Sequence, residues 1–119
     1  ISQYSTRFHL NFTLYNFGEP RVGNPAFVLW ATETILLPYH RQYRVTHKSD
    51  PIPRVPPLEF GYLHAPHEIW YNNNDNNTNY THCMDNATQE DLSCSMSQYD
   101  IDMGDHGLYM GIVWGCQMD

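Results

Sequence analysis

The sequence predicts an α/β fold built around a parallel sheet, on three observations. Phe8–Phe17 (F-H-L-N-F-T-L-Y-N-F) alternates apolar and polar side chains, the period of a half-buried strand. Ala26–Leu36 carries Phe27, Trp30, Ala31 and Thr34 at helical spacing. Gln42–His47 reads as a second strand. Strand, helix and strand in this order make a βαβ unit, and such a crossover joins parallel strands.

Each boundary has a local cause. Gly18 ends the first strand. Asn24 can cap a helix whose first turn takes Pro25, a proline position that sacrifices no hydrogen bond. Pro38 stops the helix. After the second strand, Pro51, Pro53, Pro56 and Pro57 dictate a rigid, non-helical loop. Phe60–His64 and Glu68–Tyr71 read as two strands or a hairpin turned at Ala65-Pro66. Residues 72–104 form a long polar connection rich in Asn, Asp and Ser. His106–Trp114 is a short apolar segment with a helical turn onto a C-terminal helix. Residues 1–7 are polar and read as a frayed terminus.

With 119 residues the chain is one small domain or part of a larger one. Two or three strands and one helix bury too little surface to fold alone. A long irregular connection argues the same way. The expectation is therefore one segment, 1–119, of a single domain, completed by strands from a second polypeptide. The start Ile1-Ser2-Gln3-Tyr4, without an initiator Met or signal peptide, is what an internal cut would leave.

The net charge of −7 argues against nucleic acid as a partner. All six Lys and Arg lie between Arg7 and Arg54, and from Val55 onward every charged side chain is a carboxylate. That acidic half is either a solvated surface or a face turned to a basic segment elsewhere. No apolar run has the length of a membrane span.

Sequons stand at Asn11, Asn76, Asn79 and Asn86, three of them within eleven residues, which points to a glycosylated loop of a secreted protein. Secretion makes disulfides the expected state of cysteine. Cys83 and Cys94 can close a local loop, worth about 3 kcal/mol in the chain-entropy model. Cys116 is then left over, the pattern that suggests a bond to another chain.

Two residues stand out as acid–base candidates. Asp50 follows a strand end and precedes the proline-fixed loop, and in parallel sheets functional groups gather at such ends. A carboxylate there can orient a histidine and stabilise its imidazolium. An Asp before Pro is also a common turn former. His106 can serve as a general base toward a serine hydroxyl, or be one more surface histidine. Asp105 adjoins it, but neighbouring side chains usually point apart, so Asp50 is the better orienter. His64, His67 and Glu68 (H-x-x-H-E) would suit a metal on a helix; Pro66 opposes a helix, and on strands positions three apart face opposite sides. No metal and no cofactor are expected.

Three blocks carry a resemblance: Phe17-Gly18-Glu19-Pro20-Arg21-Val22-Gly23-Asn24, the run from Tyr43 to Tyr71 containing Thr46-His47-Lys48-Ser49-Asp50-Pro51-Ile52-Pro53-Arg54-Val55-Pro56-Pro57, and Asp105-His106-Gly107-Leu108-Tyr109-Met110-Gly111. They closely resemble the C-terminal half of the fungal class 3 lipases, α/β-hydrolases that include feruloyl esterases. The resemblance spans about Phe8 to Cys116 and is weak over Asn72–Asp102. It implies that Asp50 and His106 are the Asp and His of a Ser-His-Asp triad, in the α/β-hydrolase order of Ser, Asp, His. It implies a Cys83–Cys94 pair and a last cysteine, Cys116, bridging to the N-terminal region. It makes the Phe17–Asn24 turn, with Arg21 pairing a carboxylate, a scaffold for the Asp50 loop. Pro51 departs from the family, which has an apolar residue or glycine there.

The family's G-x-S-x-G elbow does not occur in this chain. The expectation is thus a secreted carboxylic-ester hydrolase, a triacylglycerol lipase by resemblance. Its nucleophile would come from a separate N-terminal chain, disulfide-linked through Cys116. Phospholipase, feruloyl esterase and a non-catalytic lipase-like binding module are the alternatives. Ile52, Val55, Leu108 and Met110 flank the candidate pair and line an acyl groove or ordinary core. Partners are the nucleophile chain, a lipid or other ester, and transiently a lipid interface.

Overall fold

The computed structural model describes residues 12–36, 40–73 and 79–115. Its centre is a four-stranded sheet in the order β1 (Phe12–Phe17), β2 (His40–His47), β3 (Glu68–Tyr71), β4 (Thr81–His82). β1 and β2 run parallel from Phe12 opposite His40 to Phe17 opposite Val45. β3 is parallel to β2, with Arg44 opposite Glu68 and His47 opposite Tyr71. β4 is antiparallel to β3. The mostly parallel sheet expected from sequence is therefore present; Phe8–Asn11 and Pro38 lie outside the described residues.

Between β1 and β2 runs α1 (Pro25–Ala31), continued by a π-helical segment, Thr32–Leu36. Its start is the one the sequence dictates: Asn24 Oδ1 accepts the Phe27 N–H at 2.8 Å, with Pro25 in the first turn. Its buried side chains are Val28 and Thr32, while Phe27 and Trp30 are exposed and pack on each other at 6.0 Å. β1 is an edge strand whose Phe12, Leu14 and Tyr15 are exposed as well. Parallel sheets are normally covered on both faces. This side of the molecule presents apolar surface of the kind another layer would cover.

Two expected elements differ. Phe60–His64 is not a strand. Leu58–Phe60 is a 3-10 turn closed by Gly61 at φ 82°, and Leu63 makes an isolated bridge to Gly23. Pro56 and Pro57 offer no amide to a ladder, and the left-handed Gly61 reverses the chain before a strand can form. β3 consequently finds its partner in β2 rather than in a hairpin. The second difference lies at the C-terminal end. A single helical turn, α2 (Met103–His106), precedes a tight hairpin of β5 (Leu108–Tyr109) and β6 (Ile112–Val113). Met110 and Gly111, with φ of 54° and 75°, form the two-residue reversal whose twist suits a hairpin.

The polar connection is not loose where it is described. Cys83 and Cys94 form a disulfide, with Cα atoms 6.2 Å apart, and pack with Trp70 as a small core. Cys116, Asn11 and Asn76 lie outside the described residues; Asn79 and Asn86 are exposed.

The charge asymmetry resolves inside the fold. Arg21 pairs with Glu90 at 2.7 Å, Arg44 with Asp85 at 3.1 Å and Glu68 at 3.9 Å, and Lys48 with Asp105 at 3.4 Å. Part of the acidic half is thus neither a solvated surface nor turned toward an outside segment: it folds back on the basic half. Burial selects this pairing, since Arg21, Arg44, Glu68, Asp85, Glu90 and Asp105 are all buried and an unpaired buried charge is costly.

Candidate active site

β2 delivers Asp50. The strand ends at His47, and the chain turns through Lys48 at φ 38°, with the Asp50 N–H donating to the His47 carbonyl at 3.0 Å. Asp50 is 1% exposed, so its carboxylate depends on donors brought to it. Oδ1 accepts the Ile52 N–H at 2.8 Å. Oδ2 receives Nδ1–H of His106 at 2.9 Å and the Tyr109 hydroxyl.

A carboxylate can only accept, so this contact places the imidazole hydrogen on Nδ1 and leaves Nε2 as the basic nitrogen. The ring remains partly open, its side chain 38% exposed, against 1% for Asp50. A buried carboxylate behind a reachable imidazole is the arrangement in which the imidazole can exchange a proton with a bound reactant while the carboxylate steadies its charged form. Among the described residues no serine hydroxyl hydrogen-bonds His106.

Gly18 makes room for the ring. A Cβ there would stand 2.8 Å from His106 Nδ1 and 2.9 Å from the Tyr109 hydroxyl, and its φ of 61° disfavours any other residue. Its amide continues the sheet by donating to the Val45 carbonyl at 2.9 Å. In the sequence Gly18 shows only as the end of the first strand; contact with His106 needs the tertiary fold.

Tyr109 is a site residue that sequence reasoning placed in a motif without a task. Its ring is buried, edge-on to Phe17 at 5.9 Å. Burial first, then the hydrogen bond to Asp50 and that carboxylate's charge, push its phenol far above the ordinary range, so it stays a donor. The signal available was the spacing of three from His106, with Gly107 between them.

Asp105 points away from His106, as expected of a neighbour. Its Oδ2 accepts the Ser49 N–H at 3.0 Å, and its carbonyl lies 3.1 Å from His47 Nδ1. It fastens α2 to the turn that carries Asp50.

Beneath the loop sits the Arg21 scaffold. Arg21 Nη1 donates to the carbonyls of Arg54 and Pro56, each at 2.8 Å, while Nε and Nη2 grip both oxygens of Glu90 at 2.7 Å. The Phe17–Asn24 turn thus supports the Asp50 loop as read. Glu90, within the weakly patterned stretch, was missed. His64 closes the arrangement, its Nε2 donating to the Pro53 carbonyl at 2.7 Å and its amide to Glu90 Oε1 at 2.9 Å.

His64, His67 and Glu68 do not converge. Glu68 is taken by Thr46 Oγ1 at 2.6 Å, and the His67 ring stands 3.7 Å from Asp85. The metal-compatible grouping found among the described residues is Glu68 with Cys83 and Cys94, whose sulfurs are spent in the disulfide. Of the groove candidates, Ile52 and Leu108 are half-buried and Val55 and Met110 exposed; none is core.

His64 yields a pH prediction. Burial, then the nearby Arg44 charge, lower its pKa from 6.5 to about 3 despite the Pro53 hydrogen bond. The folded state keeps His64 neutral while the unfolded chain takes a proton below about 6.5, so its contribution is whole above that pH and fades as pH falls toward 3. His64→Gln, which can still donate to Pro53, should remove up to about 1.4 kcal/mol per pH unit of the acid slope between pH ~6.5 and ~5, above the carboxylate range. Denaturant midpoints across that window measure it; an unchanged slope would refute it.

The mostly parallel sheet, with Asp50 just past the end of β2 and in contact with His106, has the architecture of one fold class, the α/β-hydrolases. The particular family follows from comparison. Residues 1–60 match the family model described as lipase (class 3), a match that includes Asp50 and stops short of His106. The lipase of Rhizomucor miehei is 36% identical over 105 residues, 88% of this chain and 27% of that protein. Secreted mono- and diacylglycerol lipase 1 of Fusarium solani is 43% identical over 70 residues, 59% of this chain and 20% of that protein. Lipase II of Rhizopus niveus superposes with a TM-score of 0.74 at 31% identity, covering 92% of this chain and 40% of the other. A triacylglycerol lipase whose catalytic centre is described as a serine protease triad superposes with a TM-score of 0.70 at 31% identity, covering 92% and 40%. The chain belongs to the class 3 lipase family and forms part of an α/β-hydrolase fold. It spans a fifth to about a quarter of the length of these curated relatives.

Proposed function

We propose that this chain supplies the His and Asp of a Ser-His-Asp triad in a secreted carboxylic-ester hydrolase acting on triacylglycerols. The observation that carries this is the 2.9 Å contact between Asp50 Oδ2 and His106 Nδ1, which leaves Nε2 as the base. The serine lies on polypeptide outside these 119 residues, an N-terminal chain carrying G-x-S-x-G and disulfide-linked through Cys116. The exposed apolar edge formed by β1 and α1 supports such a partner. Ile52, Val55 and Leu108, at the surface beside the pair, line the acyl groove. Asn11, Asn76, Asn79 and Asn86 are glycan acceptors. Among the described residues no helix is long and apolar enough to cross a membrane.

The chemistry runs in two halves. His106 Nε2 takes the serine proton as the oxygen attacks the ester carbonyl, and Asp50 stabilises the imidazolium. Collapse of the tetrahedral species expels the alcohol, to which Nε2 returns that proton, leaving an acyl-serine. Water then attacks by the same route and releases the fatty acid.

The test is reduction and sequencing of the purified protein together with labelling by a fluorophosphonate, which reacts with activated serines. The expected result is a second polypeptide released by reductant, with the label on the serine of its G-x-S-x-G, and hydrolysis of triacylglycerol emulsions above soluble feruloyl esters and phospholipids. A single unlabelled polypeptide without esterase activity would overturn the catalytic reading in favour of a binding module.

A further inference from the structure

We propose that Arg54 is a positioning residue for the Asp50–His106 pair, holding the two segments that carry them in register through main-chain carbonyls. This rests on the reading above that the pair transfers a proton. Asp50 and His106 are 56 residues apart in sequence and are borne by segments with little regular structure. The Arg54 guanidinium lies between those segments. Nη1 donates to the Gln98 carbonyl at 2.6 Å, and Nη2 to the carbonyls of Ser49 at 2.6 Å and Asp100 at 2.7 Å. Nε donates to the Asp50 carbonyl itself at 3.3 Å. All four acceptors are main chain: two belong to the turn presenting Asp50, and two to the irregular run that leads into α2, whose last residue is His106.

Side chains of that run do not hold it down by burial, since Tyr99 and Ile101 are exposed. Its attachment is polar instead: the Arg54 bonds, the Asp102 N–H to the Ser49 carbonyl at 3.2 Å, the Ser49 N–H to Asp105 Oδ2 at 3.0 Å, the Lys48–Asp105 ion pair at 3.4 Å and the Asp105 carbonyl 3.1 Å from His47 Nδ1. Among these links, Arg54 is the side chain that donates to main-chain carbonyls of both segments from one rigid group. Arginine suits the task because its guanidinium is planar, permanently charged and carries five donors in a fixed fork, whereas a lysine ammonium radiates three donors from one point. Arg54 is itself fixed from behind, its amide donating to the Pro51 carbonyl at 3.0 Å and its carbonyl receiving Arg21 Nη1 at 2.8 Å. It meets the reacting atoms only through the backbone, so losing it should misplace His106 relative to Asp50 and leave substrate affinity nearly intact.

The experiment compares Arg54→Ala, Arg54→Lys and Asp50→Asn with the unmodified assembled enzyme on a triacylglycerol emulsion, following kcat, KM and the melting temperature. Misplacement by about 1 Å costs on the order of 10²-fold in rate, so Arg54→Ala should lose about that in kcat, with KM within about threefold. Guanidinium ion at a non-denaturing concentration should restore about tenfold of the kcat loss, and urea at equal concentration nothing. Arg54→Lys should stay folded and fall between alanine and arginine. Arg54→Ala within about threefold of the unmodified kcat, or a loss that guanidinium leaves untouched, would overturn the inference. Should Arg54→Ala not fold, Arg54→Lys decides: reduced kcat at an unchanged melting temperature supports the role, and unchanged kcat overturns it. Inactive Asp50→Asn beside active Arg54→Ala sinks this inference alone; fully active Asp50→Asn sinks the triad reading and this inference together.

Discussion

Replacing Asp50 by Asn should lower kcat about ten-thousandfold in the assembled enzyme, on the order of 5.5 kcal/mol of transition-state stabilisation. The change is nearly isosteric, so the loss arises from hydrogen-bond polarity. Both carboxylate oxygens face donors: Ile52 N–H at one, His106 Nδ1–H and the Tyr109 hydroxyl at the other. An amide has one oxygen. With its nitrogen toward His106, the imidazole is driven to carry its hydrogen on Nε2, where the base must be empty. With its nitrogen toward Ile52, two donors meet in a site that is 1% exposed. Turnover on a triacylglycerol emulsion measures the effect, with circular dichroism to verify the fold. A loss below about tenfold would remove Asp50 from the role.

What was legible in the sequence follows the range of the interactions. The unit from β1 through α1 to β2 was readable because its causes are local: alternation, an Asn cap followed by Pro, and a glycine stop. Asp50 was readable as a residue at a strand end before a proline-fixed loop. That His106 meets it was legible only as the better of two candidate orienters and through the family resemblance, because the contact closes over 56 residues. Phe60–His64 misled because an apolar run was weighed above Pro57 and Gly61, and because a parallel partner for β3 leaves no local trace. The acidic half misled for the same reason. Arg21 and Glu90, 69 residues apart, pair inside the fold although each looks like surface in sequence. Gly18 and Tyr109 show the remaining limit. Their roles are steric and directional, fixed by what meets Gly18 (the His106 ring and the Tyr109 hydroxyl) and by the Asp50 oxygen that Tyr109 bonds, and no one-dimensional pattern records which ring a glycine makes room for.

The Arg21–Glu90 pair carries the largest expected effect on stability. Arg21 is 2% exposed and Glu90 6%. Burial works to raise the Glu90 carboxyl, but the Arg21 hydrogen bonds, Arg21 charge and the His64 amide outweigh it and leave it below its ordinary value. Glu90→Gln turns an amide nitrogen onto a guanidinium nitrogen and strands a buried cation, a loss of about 3–5 kcal/mol by the usual magnitude for half of a buried pair. The sign with pH follows. A depressed carboxyl contributes stability that is whole above its unfolded value and lost as pH falls through the folded one, so the gap between variant and parent should narrow in acid. Replacing both partners, as in Arg21→Met with Glu90→Leu, removes the stranded charge and should cost less than the two single changes added together. Some cost remains, because the carbonyls of Arg54 and Pro56 lose the donor that holds the Asp50 loop at 2.8 Å. Chemical denaturation of the parent, both single variants and the double variant measures the coupling. Single changes costing under about 1 kcal/mol, or strictly additive ones, would mean that the pair behaves as a solvated surface bridge despite its burial.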